Sequence, residues 1–248
     1  MNSLTLNDHV VIVTGAGKGL GEAVVSGLIE KRLQFPGLKL FLTSRTLSEL
    51  EALQIKAKSF GVEAEVLAAD LATNPVLAIE KCVQRFGRVD TLIHCAGVGR
   101  FGEFQSLTRD DLEFVMKTNI EATFLLLQKA FIQMKSQTIQ NGLRGQIQVI
   151  TSVAGEKPFE QSSIYCMSKY AQRGLLEVMR LYAYREQIRI LEVKPGAALT
   201  PMWGEVTADM TSKMMKPSDV AIPMIDALLL PPSATLETLT IRPLSGDL

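Results

Sequence analysis

The sequence predicts an α/β fold, a doubly wound parallel sheet in a single domain, and three observations lead there. Short continuous apolar runs recur along the chain, each followed by a stretch of helical periodicity. A glycine-rich turn joins the first apolar run to the first helical pattern. The chain has 248 residues, a usual length for one such domain, and no internal repeat or low-complexity stretch divides it.

Val10, Val11, Ile12 and Val13 are apolar without alternation, as expected of a parallel strand covered on both faces. They lead into Thr14-Gly15-Ala16-Gly17-Lys18-Gly19-Leu20-Gly21 and then a helix over residues 22–31. Further strands are expected at 38–42, 62–69, 89–93, 145–150, 188–193 and 236–241. Helices are expected at 47–60, 75–86 and 108–137, from Ser162 or Ser163 to about 185, and at 218–229. A looser segment, 197–216, stands before the last helix and is a candidate substrate lid.

Strand, glycine turn and helix form the setting that a dinucleotide phosphate site requires. Glycines let backbone N–H groups approach a pyrophosphate, and the helix N-terminus supplies positive potential. After the second strand a carboxylate would accept ribose hydroxyls, whereas cations and hydroxyls suit a 2′-phosphate. The chain places Thr43-Ser44-Arg45-Thr46 there, with no acid before Glu49, and Lys18 lies within the glycine turn. Ser44, Arg45 and Lys18 therefore point to NADP(H), since arginine binds phosphate bidentately.

Tyr165 and Lys169 stand four residues apart in a proline-free stretch, with Ser162 or Ser163 placed to cap a helix. On a helix they share a face. A nearby ammonium favours phenolate and draws a tyrosine down from about 10, a device for acid–base chemistry. Cys166 adjoins Tyr165 but points to another face and reads as structural.

The composition narrows the function classes. Hydrophobic residues make up 47% and 26 bases balance 26 acids, which favours neither nucleic acid nor an anionic membrane as partner. No apolar run approaches the roughly 20 residues of a membrane span, and the polar start at residues 1–8 has no signal-peptide core. Cys82, Cys95 and Cys166 lack metal-ligand spacing and read as reduced thiols of a cytoplasmic protein; no metal is expected.

Together these pieces resemble the short-chain dehydrogenase/reductase family over essentially the whole chain, which implies a Rossmann fold. Its glycine motif matches Thr14, Gly15, Gly19 and Gly21; its adenine-side Asp-Leu matches Asp70 and Leu71. Its catalytic residues match Asn119, Ser152, Tyr165 and Lys169, with Ser152 thirteen residues before Tyr165. Pro195, Gly196 and Thr200 match the loop after the sixth strand. The resemblance implies cofactor contacts from Gly15, Gly17, Lys18, Gly19, Leu20, Gly21, Ser44, Arg45, Asp70, Leu71, Ala96, Gly97, Tyr165, Lys169, Pro195, Gly196, Ala198 and Thr200. One departure is His94-Cys95-Ala96-Gly97 where the family usually has Asn-Asn-Ala-Gly; His94 reads as a satisfied core histidine.

The second half resembles the bacterial sepiapterin reductases more closely, in residues 97–102, 163–169, 172–175, 200–204 and 242–248. That resemblance implies reduction of a pterin side-chain carbonyl by NADPH, with Ser152 as hydrogen-bond donor to the carbonyl oxygen and Tyr165 as general acid. Lys169 would hold the nicotinamide ribose and lower the Tyr165 pKa, and Asn119 would anchor a water relaying protons from Lys169. Phe101 and Trp203 are candidate walls for the flat pterin, with Asp247 as acceptor for its N–H edge. Met210, Met214 and Met215 are candidate lid residues. Two alternatives stand beside this reading: reduction of another carbonyl, such as a 3-oxoacyl thioester or a diketone, and a non-catalytic NADP-binding protein. The family's helix pairing implies a homodimer or tetramer. Gly174, in mid-helix, suits a place where another backbone comes close.

Overall fold

The computed structural model describes residues 5–247. Residues 1–4 of the polar N-terminal stretch, and Leu248 at the end of the C-terminal motif, lie outside the described residues. Among the described residues seven strands form one sheet: β1 (Val10–Thr14), β2 (Lys39–Ser44), β3 (Glu63–Ala68), β4 (Thr91–His94), β5 (Gly145–Ile150), β6 (Ile188–Pro195) and β7 (Thr238–Ile241). Every pairing is parallel. The order β3-β2-β1-β4-β5-β6-β7 reverses its winding between β1 and β4, and a crevice opens at the strand C-termini there.

Helices cover both faces: α1 (Gly19–Glu30), α2 (Leu47–Ser59), α3 (Leu77–Phe86), α4 (Arg109–Met116), α5 (Thr123–Ser136), α6 (Ser163–Ala183), α7 (Ala208–Lys213) and α8 (Pro217–Leu228). This explains the unbroken apolar run of β1, which is buried throughout. Val11 and Val13 pack with Val25 and Leu28 of α1 and Ile225 of α8, while Val10 and Ile12 pack with Ile79 of α3 and Leu126 of α5. β5 is buried although it carries two glutamines, because Gln146 and Gln148 donate to the Leu228 and Met224 carbonyls of α8 at 3.3 and 3.0 Å.

The expected elements are present with shifted ends: the third helix starts at Leu77 and the last strand at Thr238. The expected helix over 108–137 departs further. Thr108 and Asp111 close a capping box at its start, but Lys117–Ala122 winds as a π turn between α4 and α5. Such a turn carries i→i+5 bonds and is frequent at functional sites. It holds Asn119, which has no exposed surface. Ser162 precedes α6 but does not cap it; its hydroxyl donates to the Phe159 carbonyl at 2.8 Å instead.

Candidate active site

The fold brings the predicted residues together at one edge of the sheet. The glycine turn follows β1, Ser44 and Arg45 follow β2, and Asp70 and Leu71 follow β3. Ala96 and Gly97 follow β4, Ser152 follows β5, and Gly196, Ala198 and Thr200 follow β6. Strand C-termini converge here because every strand runs the same way, so residues far apart in sequence share one cleft.

The glycine positions of the turn are crowded. Gly15 has a φ of +64°, and a β-carbon on it would stand 2.8 Å from the Ala96 backbone nitrogen; one on Gly21 would run into the Gly15 carbonyl. A β-carbon on Gly19 would meet Thr200 at 3.3 Å, so Thr200 closes the turn from the β6 side. These close backbone approaches, with the α1 N-terminus behind them, fit a dinucleotide pyrophosphate. Arg45 and Lys18 are exposed. Glu49, the first acid after β2, folds its carboxylate against Gly17 beside Ser44 Oγ, at the mouth of the same turn. Asp70 accepts from the Ala72 N–H at 2.9 Å, which shapes the turn after β3.

On the other side of the cleft stand Ser152, Tyr165 and Lys169. Ser152 Oγ accepts from the Ala154 N–H at 3.0 Å, which leaves its own proton free to donate. A hydrogen bond from Ser152 favours the phenolate, but burial of Tyr165 outweighs that influence and pushes the phenol up to about 12. Burial drops Lys169 to about 7, against a smaller upward pull from the Glu192 carboxylate. The expected lowering of the phenol by Lys169 is thus not what this structure shows. Lys169 Nζ is turned to the Ile150 carbonyl at 3.1 Å and Gln172 Oε1 at 2.9 Å, and lies 5.6 Å from the Tyr165 ring centroid.

Asn119 is held in the π turn by contacts to two other elements. Its side chain clamps the Val98 backbone, accepting from N–H at 2.9 Å and donating to C=O at 2.8 Å, and also donates to Ser168 Oγ at 3.0 Å. Its backbone carbonyl accepts from Gln172 Nε2 at 2.8 Å, so the protein link from Asn119 to Lys169 is an amide side chain. His94 is a hydrogen-bonded core histidine, between Thr14 Oγ1 at 2.7 Å and Thr123 Oγ1 at 3.0 Å, and burial with the Lys169 charge lowers it to about 3. Cys166 is buried and lies 3.6 Å from Ser162 Oγ.

Of the candidate substrate residues, Phe101 touches this pair. The Phe101 ring packs tilted on the Tyr165 ring, 5.3 Å between centroids. Trp203 donates its indole N–H to the Ala198 carbonyl at 3.0 Å and stays partly exposed. The C-terminal tail folds back: Asp247 Oδ2 meets Lys157 at 3.1 Å and Arg242 at 2.9 Å, and Ser245 donates to the Lys213 carbonyl at 3.1 Å. Lys157 belongs to the loop joining Ser152 to Tyr165, so the tail borders that loop. Asp247 Oδ1 is buried and has no partner among the described residues. Leu199 and Met215 tie the ends of the 197–216 segment by backbone bonds, Met215 is buried, and Met210 and Met214 are half-buried.

The sequence profile described as short chain dehydrogenase matches residues 9–211, and the chain belongs to that family of oxidoreductases. It is 41% identical to the sepiapterin reductase of Chlorobaculum tepidum, over 97% of this chain and 98% of that one. It is 29% identical to the farnesol dehydrogenase of Aedes aegypti, over 94% of this chain and 95% of that one. A solved metagenomic short-chain oxidoreductase in complex with NADP superposes with a TM-score of 0.79 at 26% identity, covering 96% of this chain and 98% of that one.

The depressed Lys169 has a measurable consequence. Between about pH 7 and the ordinary lysine value of 10.5, the unfolded chain holds a proton that the folded chain releases, so stability rises with pH. Above pH 9 the thiols of Cys82 and Cys95, both raised by burial, work the other way. Urea unfolding is expected to show a gain of about 2 kcal/mol from pH 7 to pH 9 that Lys169→Met lacks. The same gain in both proteins would place Lys169 at its ordinary pKa.

Proposed function

We propose that this protein reduces the side-chain carbonyl of a pterin with NADPH. The observation that carries the substrate class is the likeness, along nearly the full length of both chains, to the Chlorobaculum tepidum sepiapterin reductase. The glycine turn, with Thr200 across from Gly19, would hold the dinucleotide, and the bound nicotinamide supplies the hydride. Arg45, Lys18 and Ser44 would take the 2′-phosphate. Glu49 has a flexible side chain and would swing away from Gly17 to admit it.

The chain's own groups handle the oxygen. Ser152 directs its free hydroxyl proton at the carbonyl, where negative charge develops. Tyr165, protonated across the working pH range, delivers the proton to that oxygen. Lys169 keeps one N–H for the cleft after its bonds to Ile150 and Gln172, and its ammonium form steadies the phenolate left behind. Asn119 fixes the Val98 backbone and, through Gln172, the lysine.

For the pterin, Phe101 offers a ring face beside Tyr165. Trp203 has spent its N–H on Ala198, so its aromatic face is what remains to offer. Asp247 presents Oδ1 as an acceptor for the pterin N–H edge while Lys157 and Arg242 hold Oδ2. Segment 197–216 acts as the lid. A thioester on an acidic carrier would want free cations at the entrance, but Arg100 is paired with Asp111 and Arg173 with Glu156 and Glu177. We further propose a homodimer, with a tetramer as the extension, built on α5 and α6. Phe124, Ile132, Val178 and Leu181 are exposed there beside an open cleft of about 460 Å³. A β-carbon on Gly174 would meet nothing within 4 Å among the described residues, which leaves room there for the backbone of a second copy.

NADPH consumption with sepiapterin, an acetoacetyl thioester and a simple diketone tests the substrate. The expected preference for sepiapterin is about 100-fold in kcat/KM, or about 2.7 kcal/mol of transition-state discrimination. Turnover of the other two without sepiapterin would overturn the pterin reading. Tyr165→Phe is expected to lower kcat by roughly 100-fold or more, and full activity in that variant would contradict the proton-donor role. Arg45→Ala is expected to weaken NADPH binding by about tenfold and leave NADH unchanged, read by calorimetry; equal losses for both would remove Arg45 from the phosphate site.

A further inference from the structure

Gln172 lies three residues beyond Lys169 on α6 and is only 2% exposed. Its amide touches three groups. Nε2 donates to the Asn119 carbonyl at 2.8 Å and to Thr123 Oγ1 at 3.2 Å, while Oε1 accepts from Lys169 Nζ at 2.9 Å. The orientation is fixed from both ends, because a backbone carbonyl only accepts and an ammonium only donates. Thr123 Oγ1 is held in turn by His94 Nε2, whose other ring nitrogen meets Thr14 Oγ1. A continuous buried chain of contacts therefore runs from the end of β1, through β4 and the start of α5, to the lysine.

We infer that Gln172 is a positioning residue for Lys169: its locked amide sets the direction of the amine and favours the ammonium form. The inference rests on reading Tyr165 and Lys169 as the proton-handling pair, and not on the pterin. An amide neither gains nor loses a proton near neutral pH, so this link holds the lysine and does not pass protons along. With Gln172 and Ile150 each accepting one N–H, a single N–H is left for the cleft, which gives the amine one direction rather than several.

Few charges compete with this amide. Tyr165 comes from the same helix, Glu192 from β6 and His94 from β4, with His94 held neutral by burial. Glu156, in the turn after β5, is engaged by Lys194 and Arg173. Lys117 and Glu121 of the π turn, and Arg109, Asp110 and Glu113 of α4, are exposed. Oε1 of Gln172 is nearer to Nζ than the other acceptor, the Ile150 carbonyl. In a dry site a lost acceptor disfavours the charged form and an added carboxylate favours it.

Carbon-13 lysine NMR on the full-length protein tests this without any substrate, with the Lys169 resonance assigned by its loss in Lys169→Met. The wild-type amine is expected to titrate near 7. Gln172→Leu is expected to lower that value by roughly half a unit or more, and Gln172→Glu to raise it. The alkaline limb of kcat/KM for carbonyl reduction is expected to move in the same two directions. Should Gln172→Leu fail to fold, Gln172→Asn, which withdraws the amide by one methylene, is expected to lower the value in its place. An unmoved Lys169, or shifts of the same sign in the leucine and glutamate variants, would overturn the positioning role. Opposite shifts in a protein that turns over no carbonyl would uphold it and overturn the catalytic reading alone.

Discussion

A lysine amine held away from water is the constraint on which the site depends. Lys169 is 3% exposed, and an ammonium in that position is stable only if protein groups replace its hydration. Ile150 at the end of β5, Gln172 on the same helix and Glu192 on β6 supply that replacement. Each of these requires another element in place: β5 between β4 and β6, α6 packed along β6, and the π turn that puts the Asn119 carbonyl opposite Gln172. The result is an amine poised near neutrality beside a phenol that burial keeps protonated, and the proposed proton delivery to a carbonyl oxygen draws on that pairing.

The sheet supplies the other half of the site by direction alone. Because all seven strands run parallel, the glycine turn after β1 and the Ser152 turn after β5 open on the same edge. Gly15 and Gly21 let the turn fold onto Ala96 and onto itself, which leaves backbone N–H groups, rather than side chains, to meet a phosphate. The tail then returns from β7 to seat Asp247 between Lys157 and Arg242, beside the loop that joins Ser152 to Tyr165. The glycine turn is thus built from closely packed backbone and the opposite end of the cleft from side chains.

Most of this was legible in the sequence, for physical reasons. Apolar runs and helical periodicity gave the strands and their order of appearance, and the glycine spacing located the turn. The role of His94 as a satisfied core residue was also legible. The misses share a cause: they depend on contacts between residues distant in sequence. The π turn around Asn119 leaves helical periodicity nearly intact, so one continuous helix was expected. Gln172 is one polar residue on a mixed helix until α6 and the π turn are brought together. The lowered tyrosine was expected from i,i+4 geometry, but that geometry says nothing of burial, which turned the shift the other way. Glu49 falls beside Gly17 only because α2 packs next to the glycine turn.

The most direct test of hydride delivery to a pterin side chain is to follow the hydride itself. NADPH labelled with deuterium at the transferring position of the nicotinamide would be incubated with sepiapterin and the protein, and the product examined by NMR and mass spectrometry. The account predicts one deuterium on the side-chain carbon that was the carbonyl, with roughly 100-fold less incorporated by Tyr165→Phe at matched times. Deuterium on the pterin ring, or a product without label, would contradict it.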